Sequence, residues 1–178
     1  MSTSTEFPAE NNAHFIRNAY EHCARIAIGM LTSKGSLSPQ LFFVGHPLTE
    51  NDPATSKIAL AGAQAMHAFH ASSEGADQLI PFIRQALAPD SKPGLALQKQ
   101  IGRAQLAVHA CHALVDSDIE MQYPSGCEAL KHADGKKECI LVTVHTSSHS
   151  QIAYCPVYRN SQGALECKIA ELRSPSTN

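Results

Sequence analysis

Ten histidines and six cysteines in 178 residues are the side chains through which this chain could do chemistry. Imidazole and thiolate are ligands for zinc and related metals, and each also serves in proton transfer or nucleophilic attack. The two types gather in three places. His67 and His70 stand three apart in HAFH, a spacing that puts both on one side of a helix, but the acid of the HExxH zinc helix is missing. A polar helix edge is the plainer reading of the pair. In LAVHACHALV, residues 106–115, a strand would face His109 and Cys111 together with His112 turned away, whereas a helix would pair His109 with His112. Either geometry yields two ligands, and a closed zinc site takes four. His145 and His149 flank a turn further on and complete a candidate metal set of His109, Cys111, His145 and His149; a solvated histidine turn is the simpler account. A cysteine nucleophile would need a histidine within hydrogen-bond reach, and Cys111, Cys155 and His145 could meet across a sheet. Asp116, Asp118 and Glu120 alternate at the end of the same apolar run, as ligands of a hard cation or as a solvated strand end. Glycine-rich phosphate loops, GxSxG and paired catalytic carboxylates are missing, and nothing in the spacing calls for a cofactor.

These residues need elements to hold them, and the clearest are at the C-terminal end. Residues 139–172 read as three strands joined by two turns, an antiparallel meander rich in Val, Ile, Thr, Tyr and Cys. Alternation assigns its faces. Ile140, Val142 and Val144 oppose Leu141, Thr143 and His145; Ala153, Cys155 and Val157 oppose Ile152, Tyr154 and Tyr158; Leu165, Cys167 and Ile169 oppose Glu166 and Lys168. Pro156 sits in the middle strand without a backbone donor, so either a bulge lies there or the pairing stops beside it. On the second face Leu141, Ile152, Tyr154 and Tyr158 cluster without charge. That is a candidate contact surface for a homodimer or protein partner if water reaches it, and core if helices cover it.

The preceding chain supplies the cover. Phe15, Ala19, Cys23, Ile26, Ala27 and Met30 recur at helical steps, with Asn11 or Asn12 as a start, Gly35 as a stop, and Glu21 and Arg25 as a four-residue ion pair. Leu41–Val44 reads as a short buried strand ended by Gly45, His46 and Pro47, and residues 48–56 are turn-rich. Helices are expected over 57–71, from about Asp77 to Leu87, and over about 95–104; Pro81 is tolerable in the second only within its first turn. Residues 106–115 are taken as a strand, and a helical turn is expected around Glu128–His132. The expected fold is α+β: an antiparallel sheet of about four or five strands with a C-terminal three-stranded meander, and helices packed mainly on one face.

Length and composition suit a single domain over residues 1–178, its ordered core about 10–172 and its two tails mobile. At 43% hydrophobic residues and a formal charge of −2, the chain can bury a core and carries no nucleic-acid signal. No apolar run approaches the roughly 20 residues of a membrane helix, and the first residues lack the basic and apolar regions of a secretory signal. A cytoplasmic protein with reduced thiols is the expectation, with Cys23, Cys111, Cys139, Cys155 and Cys167 acting as small hydrophobes.

The order of elements also resembles a small uncharacterised α+β family of bacterial and phage-associated proteins. The matching positions are Pro39 to Val44, Val115 to Asp118, and Lys137 to Val144, where a Pro precedes an apolar strand, a later strand runs into a Ser-acidic turn, and a charged segment opens the closing hairpins. The family usually shows Glu-Ala-Trp after that Ser; this chain has Asp118, Ile119 and Glu120 and no Trp. The resemblance covers about two thirds of the chain and implies the fold, with no activity attached. Two functions stand side by side: a non-enzymatic protein that makes a partner or self-contact through the sheet face, and a metal- or cysteine-dependent enzyme built on the His/Cys groups.

Overall fold

A computed structural model of the protein describes residues 9–45, 57–61, 63–130 and 132–174. The tails expected to be mobile, the strand end at His46 and Pro47, and the turn-rich residues 48–56 fall outside these, except for residues 9, 173 and 174 at the margins of the ordered core. In chain order the elements are α1 (Ala9–Lys34), β1 (Gln40–Gly45), β2 (Lys57–Leu60), α2 (Ala63–His70), α3 (Ser73–Leu87), α4 (Lys92–Ile101), β3 (Ala104–Val115), β4 (Glu128–Ala129), β5 (Lys137–His145), β6 (Ser150–Arg159) and β7 (Leu165–Cys167). Among the described residues the strands form one antiparallel sheet in the order β2-β1-β3-β5-β6-β4, with β7 also on β6. The class is α+β with a closing β5-β6-β7 meander, as the alternation implies, and the sheet has seven strands rather than four or five.

The added strands lie where sequence signals pointed to helix. KIAL is followed by an alanine-rich run and reads as helical, yet it pairs with β1 from Phe42↔Leu60 to Gly45↔Lys57; the helix is confined to 63–70. Glu128 and Ala129 pair with Arg159 and Tyr158 in place of a helical turn. α1 begins at Ala9, so Asn11 and Asn12 are inside it, and it ends as expected at Gly35, whose φ is 73° and whose N–H reaches the Leu31 carbonyl at 2.8 Å. α3 begins earlier than expected, at Ser73, with the Ser72 hydroxyl accepting from the Gly75 N–H. Pro81 is therefore inside the helix, on its exposed side.

Helices cover both faces, where the expectation put them mainly on one. Ile16, Tyr20, Cys23, Ala24, Ala27 and Leu31 of α1 lie on the first face, against Phe42, Val44, Leu106, Val108, Ile140, Val142, Ala153 and Cys155. On the second face Met66, Ile83, Ala86, Leu87 and Ile101 of α2–α4 pack on Leu41, Phe43, Ala59 and Ala107. The reason is visible in β1, where Leu41, Phe42, Phe43 and Val44 are all buried: a strand apolar on both sides needs a layer on each. At the end of β1 the register shifts between Val44 and Gly45, and a Cβ on Gly45 would run into the Ile101 carbonyl. That residue lets α4 close against the sheet.

β6 exchanges partners along its length. Its first part, Ser150 to Pro156, pairs with β5, and residues 157–159 pair with β7. The Pro156 carbonyl accepts from Lys168 N–H at 3.1 Å, just past the end of β7. In an antiparallel strand the nitrogen of a residue faces the same edge as its carbonyl, so the missing donor points to where the β7 ladder has stopped. Beyond it the chain returns to β6 through a two-way Ile152–Arg173 bridge, each N–H to the other carbonyl at 2.8 Å. The Tyr20 hydroxyl of α1 donates to the Ala170 carbonyl at 2.7 Å, tying this last segment to the first helix.

Candidate functional site

The second face is covered unevenly. α2–α4 pack against β1, β2 and β3, and at the far end residues between β3 and β4 bring Tyr123 edge-on to Tyr158, with ring centroids 6.5 Å apart. Between these covers runs a strip of β3, β5 and β6 in which Cys111, Leu141, Thr143, Ile152 and Tyr154 are each half-buried. Leu141 lies directly opposite Tyr154, and Thr143 opposite Ile152, so their side chains meet as cross-strand pairs. Of the four expected contact residues, three therefore sit together. Tyr158 does not join them: it is 6% exposed, beneath Tyr123. The Tyr123 hydroxyl is itself buried, with no hydrogen-bond partner among the described residues.

Histidines border the strip on its helical side. His109 pairs with Leu41 on one side and Thr143 on the other, and His145 lies on the same face, its Nδ1 2.9 Å from the Ser150 hydroxyl. Both are 7% exposed. His70, at the end of α2, meets His109 with Nε2 to Nε2 at 3.0 Å. The ring centroids are 5.1 Å apart and the planes differ by 20°. Nitrogens that close with centroids that far apart place the rings edge to edge in nearly one plane, which is the geometry of an N–H···N hydrogen bond. Burial, with His70 and His145 nearby, pushes the His109 imidazole down to about 4. Burial lowers His70 as well, and burial together with the Arg84 cation lowers His145. All three rings are held neutral at neutral pH.

The other sequence candidates disperse. Cys111 shares the face of His109, as the strand reading requires, but Cys155 points to the first face beside α1, so Cys111, Cys155 and His145 do not converge. His149 lies at the β5–β6 turn, where its Nδ1 is 3.1 Å from the Thr146 hydroxyl and 3.0 Å from that of Ser148, apart from His109 and Cys111. It lines an open groove of about 630 Å³ between α1 and the last segment, with Ile16, Tyr20, Ile169 and Leu172 beneath and Arg17 already paired to Glu21 at 3.0 Å. His67 is exposed on α2, and Asp116, Asp118 and Glu120 are exposed beyond β3. Burial raises the Cys111 thiol, and Cys23 and Cys139 are pushed up to about 12. A nucleophilic thiol requires the opposite displacement.

One polar group escaped the sequence reading. Glu138 on β5 takes His112 Nε2 at 2.9 Å and His132 Nε2 at 2.6 Å, one on each carboxylate oxygen. The pairing of Leu114 with Glu138 puts His112 and Glu138 on one face, and His132 arrives on the turn before β5. No local spacing signals it, although His112 could be assigned to the first face by alternation. Both Nε2 atoms are spent on the carboxylate, and among the described residues no group of three or more His, Cys, Asp or Glu is placed to hold a metal ion.

The chain matches no family model, no curated protein and no solved structure. Its chemistry must be read from the strip itself. Among the described residues no helix is long and apolar enough to cross a membrane.

Proposed function

We propose that this is a non-enzymatic interaction protein that associates with itself through the uncovered strip of the second face. The carrying observation is the pairing of Leu141 with Tyr154 and of Thr143 with Ile152 on a stretch of β5 and β6 that α2–α4 leave open. Half-buried aliphatic and aromatic side chains in one register make a surface that water solvates poorly and a two-fold copy can match. Burying such a side chain contributes roughly 1.5–3 kcal/mol before the costs of association. The raised thiols favour this reading over a cysteine-dependent enzyme. Sedimentation of wild type against Tyr154→Lys at high micromolar concentration tests it. The expected result is a wild-type dimer and a folded, monomeric variant; a wild-type monomer, or a variant that unfolds with its assembly state unchanged, rejects the dimer.

A further inference from the structure

His70 and His109 meet in a bond that has room for one proton. One Nε2 donates and the other accepts; a first added proton still leaves an imidazolium donating to a neutral imidazole, and a second added proton removes the acceptor and leaves two cations in contact. The surroundings offer no relief. His109 feels His70 and His145, His145 feels Arg84 of α3, and burial acts on all three rings; the neighbours of His109 on β1 and β5 are Leu41 and Thr143, and the Ser150 hydroxyl is already engaged by His145. Among the described residues, each charge that acts on the group is a cation or becomes one on protonation. The bond spans 39 residues of chain and joins the last turn of α2 to the strand that edges the open strip.

We propose that the His70–His109 pair is an acid-sensitive latch: uptake of a second proton breaks it, loosens the last turn of α2, and widens the open strip beside β3. Met66 stays packed in the core of this face, so the start of α2 holds while its end moves. The regulatory sense of the latch rests on the strip being a contact surface; the latch itself does not. Its sign follows from linkage. His109 is depressed to about 4 in the folded protein against 6.5 for the free side chain. The pair therefore contributes fully above about pH 6.5 and is lost as pH falls from there towards 4, and opening at pH 5 is about thirtyfold more frequent than at pH 7.5.

Imidazole nitrogen NMR and amide exchange, corrected for the intrinsic effect of pH, test this on the whole protein. The two rings are expected in complementary tautomers at pH 7.5, both titrating below the free value of 6.5 and His109 far below it. Exchange at the end of α2 should rise about thirtyfold between pH 7.5 and 5, and His70→Gln, an exposed position whose amide can still bond His109, should flatten that rise. Independent titration of both rings near pH 6.5, or an equal rise in His70→Gln, overturns the latch. Sedimentation of the same samples reads association separately, so a latch without a dimer and a dimer without a latch are distinct results.

Discussion

Tyr154 and Tyr158 occupy the same face of the same strand and have opposite fates. Tyr154 is half-buried on the strip, and Tyr158 is sealed under Tyr123. Alternation places both side chains correctly, but what lies above each is decided by a loop that no periodicity describes. The same holds for the histidines. The shared face of His109 and His145 is legible from their strand positions, whereas His70, the partner that matters most, comes from a separate helix and left no mark in local spacing. Gly45 is a further case in which a single atom decides the packing. Gly45→Ala would press a methyl into the Ile101 carbonyl, and overpacking of this kind costs about 1–3 kcal/mol. Urea unfolding should show a lower midpoint with an unchanged slope; an unchanged midpoint would mean that α4 shifts freely.

At the scale of elements, α1 and the strands β1, β3, β5, β6 and β7 were readable in the sequence, and β2 and β4 were not. α1 announces itself through its stripe, and β3, β5 and β6 through runs of nine to twelve residues. β4, with two residues, and β7, with three, are held by β6 more than by their own preference. β2 carries a helix-like composition that pairing with β1 overrides. The division of helices between faces could not be foreseen without knowing that β1 is a central strand. The last segment has no regular structure beyond one bridge, and Tyr20 supplies an anchor for it. Tyr20→Phe removes the donor to Ala170 and should cost about 0.5–1.5 kcal/mol. Amide exchange at Ile152 and Arg173, which bond each other, is expected to rise before the rest of the sheet is affected. Unchanged exchange there would show that the bridge holds the segment unaided.

For the molecule as a whole, two cores share one sheet, and the thiols belong to them. All six cysteines are free, with Cys23, Cys139 and Cys155 fully buried. Burial raises the thiols of Cys23, Cys111, Cys139, Cys155 and Cys167, which suppresses the reactive thiolate. Thiol counting should find six groups in denatured, unreduced protein and only slow reaction in the native state near neutral pH. A stable intramolecular disulfide, or rapid modification of several native thiols, would contradict this packing.

The hydrogen bond from Tyr20 to Ala170 spans 150 residues, and this bears on how the protein is made. A ribosome adds residues at about 5–20 per second, so α1 emerges several seconds before the segment that closes over it. During that interval the apolar stripe of α1 has neither β5 nor β6 to rest on, since both are also late in the chain. The nascent protein must carry a partly covered helix, with only β1 and β3 to rest on, until synthesis is nearly complete, the condition under which chaperones bind and long-range closure is slow. Arrested chains ending before β5 should therefore be protease-sensitive throughout α1, and chains extending past Arg173 should not.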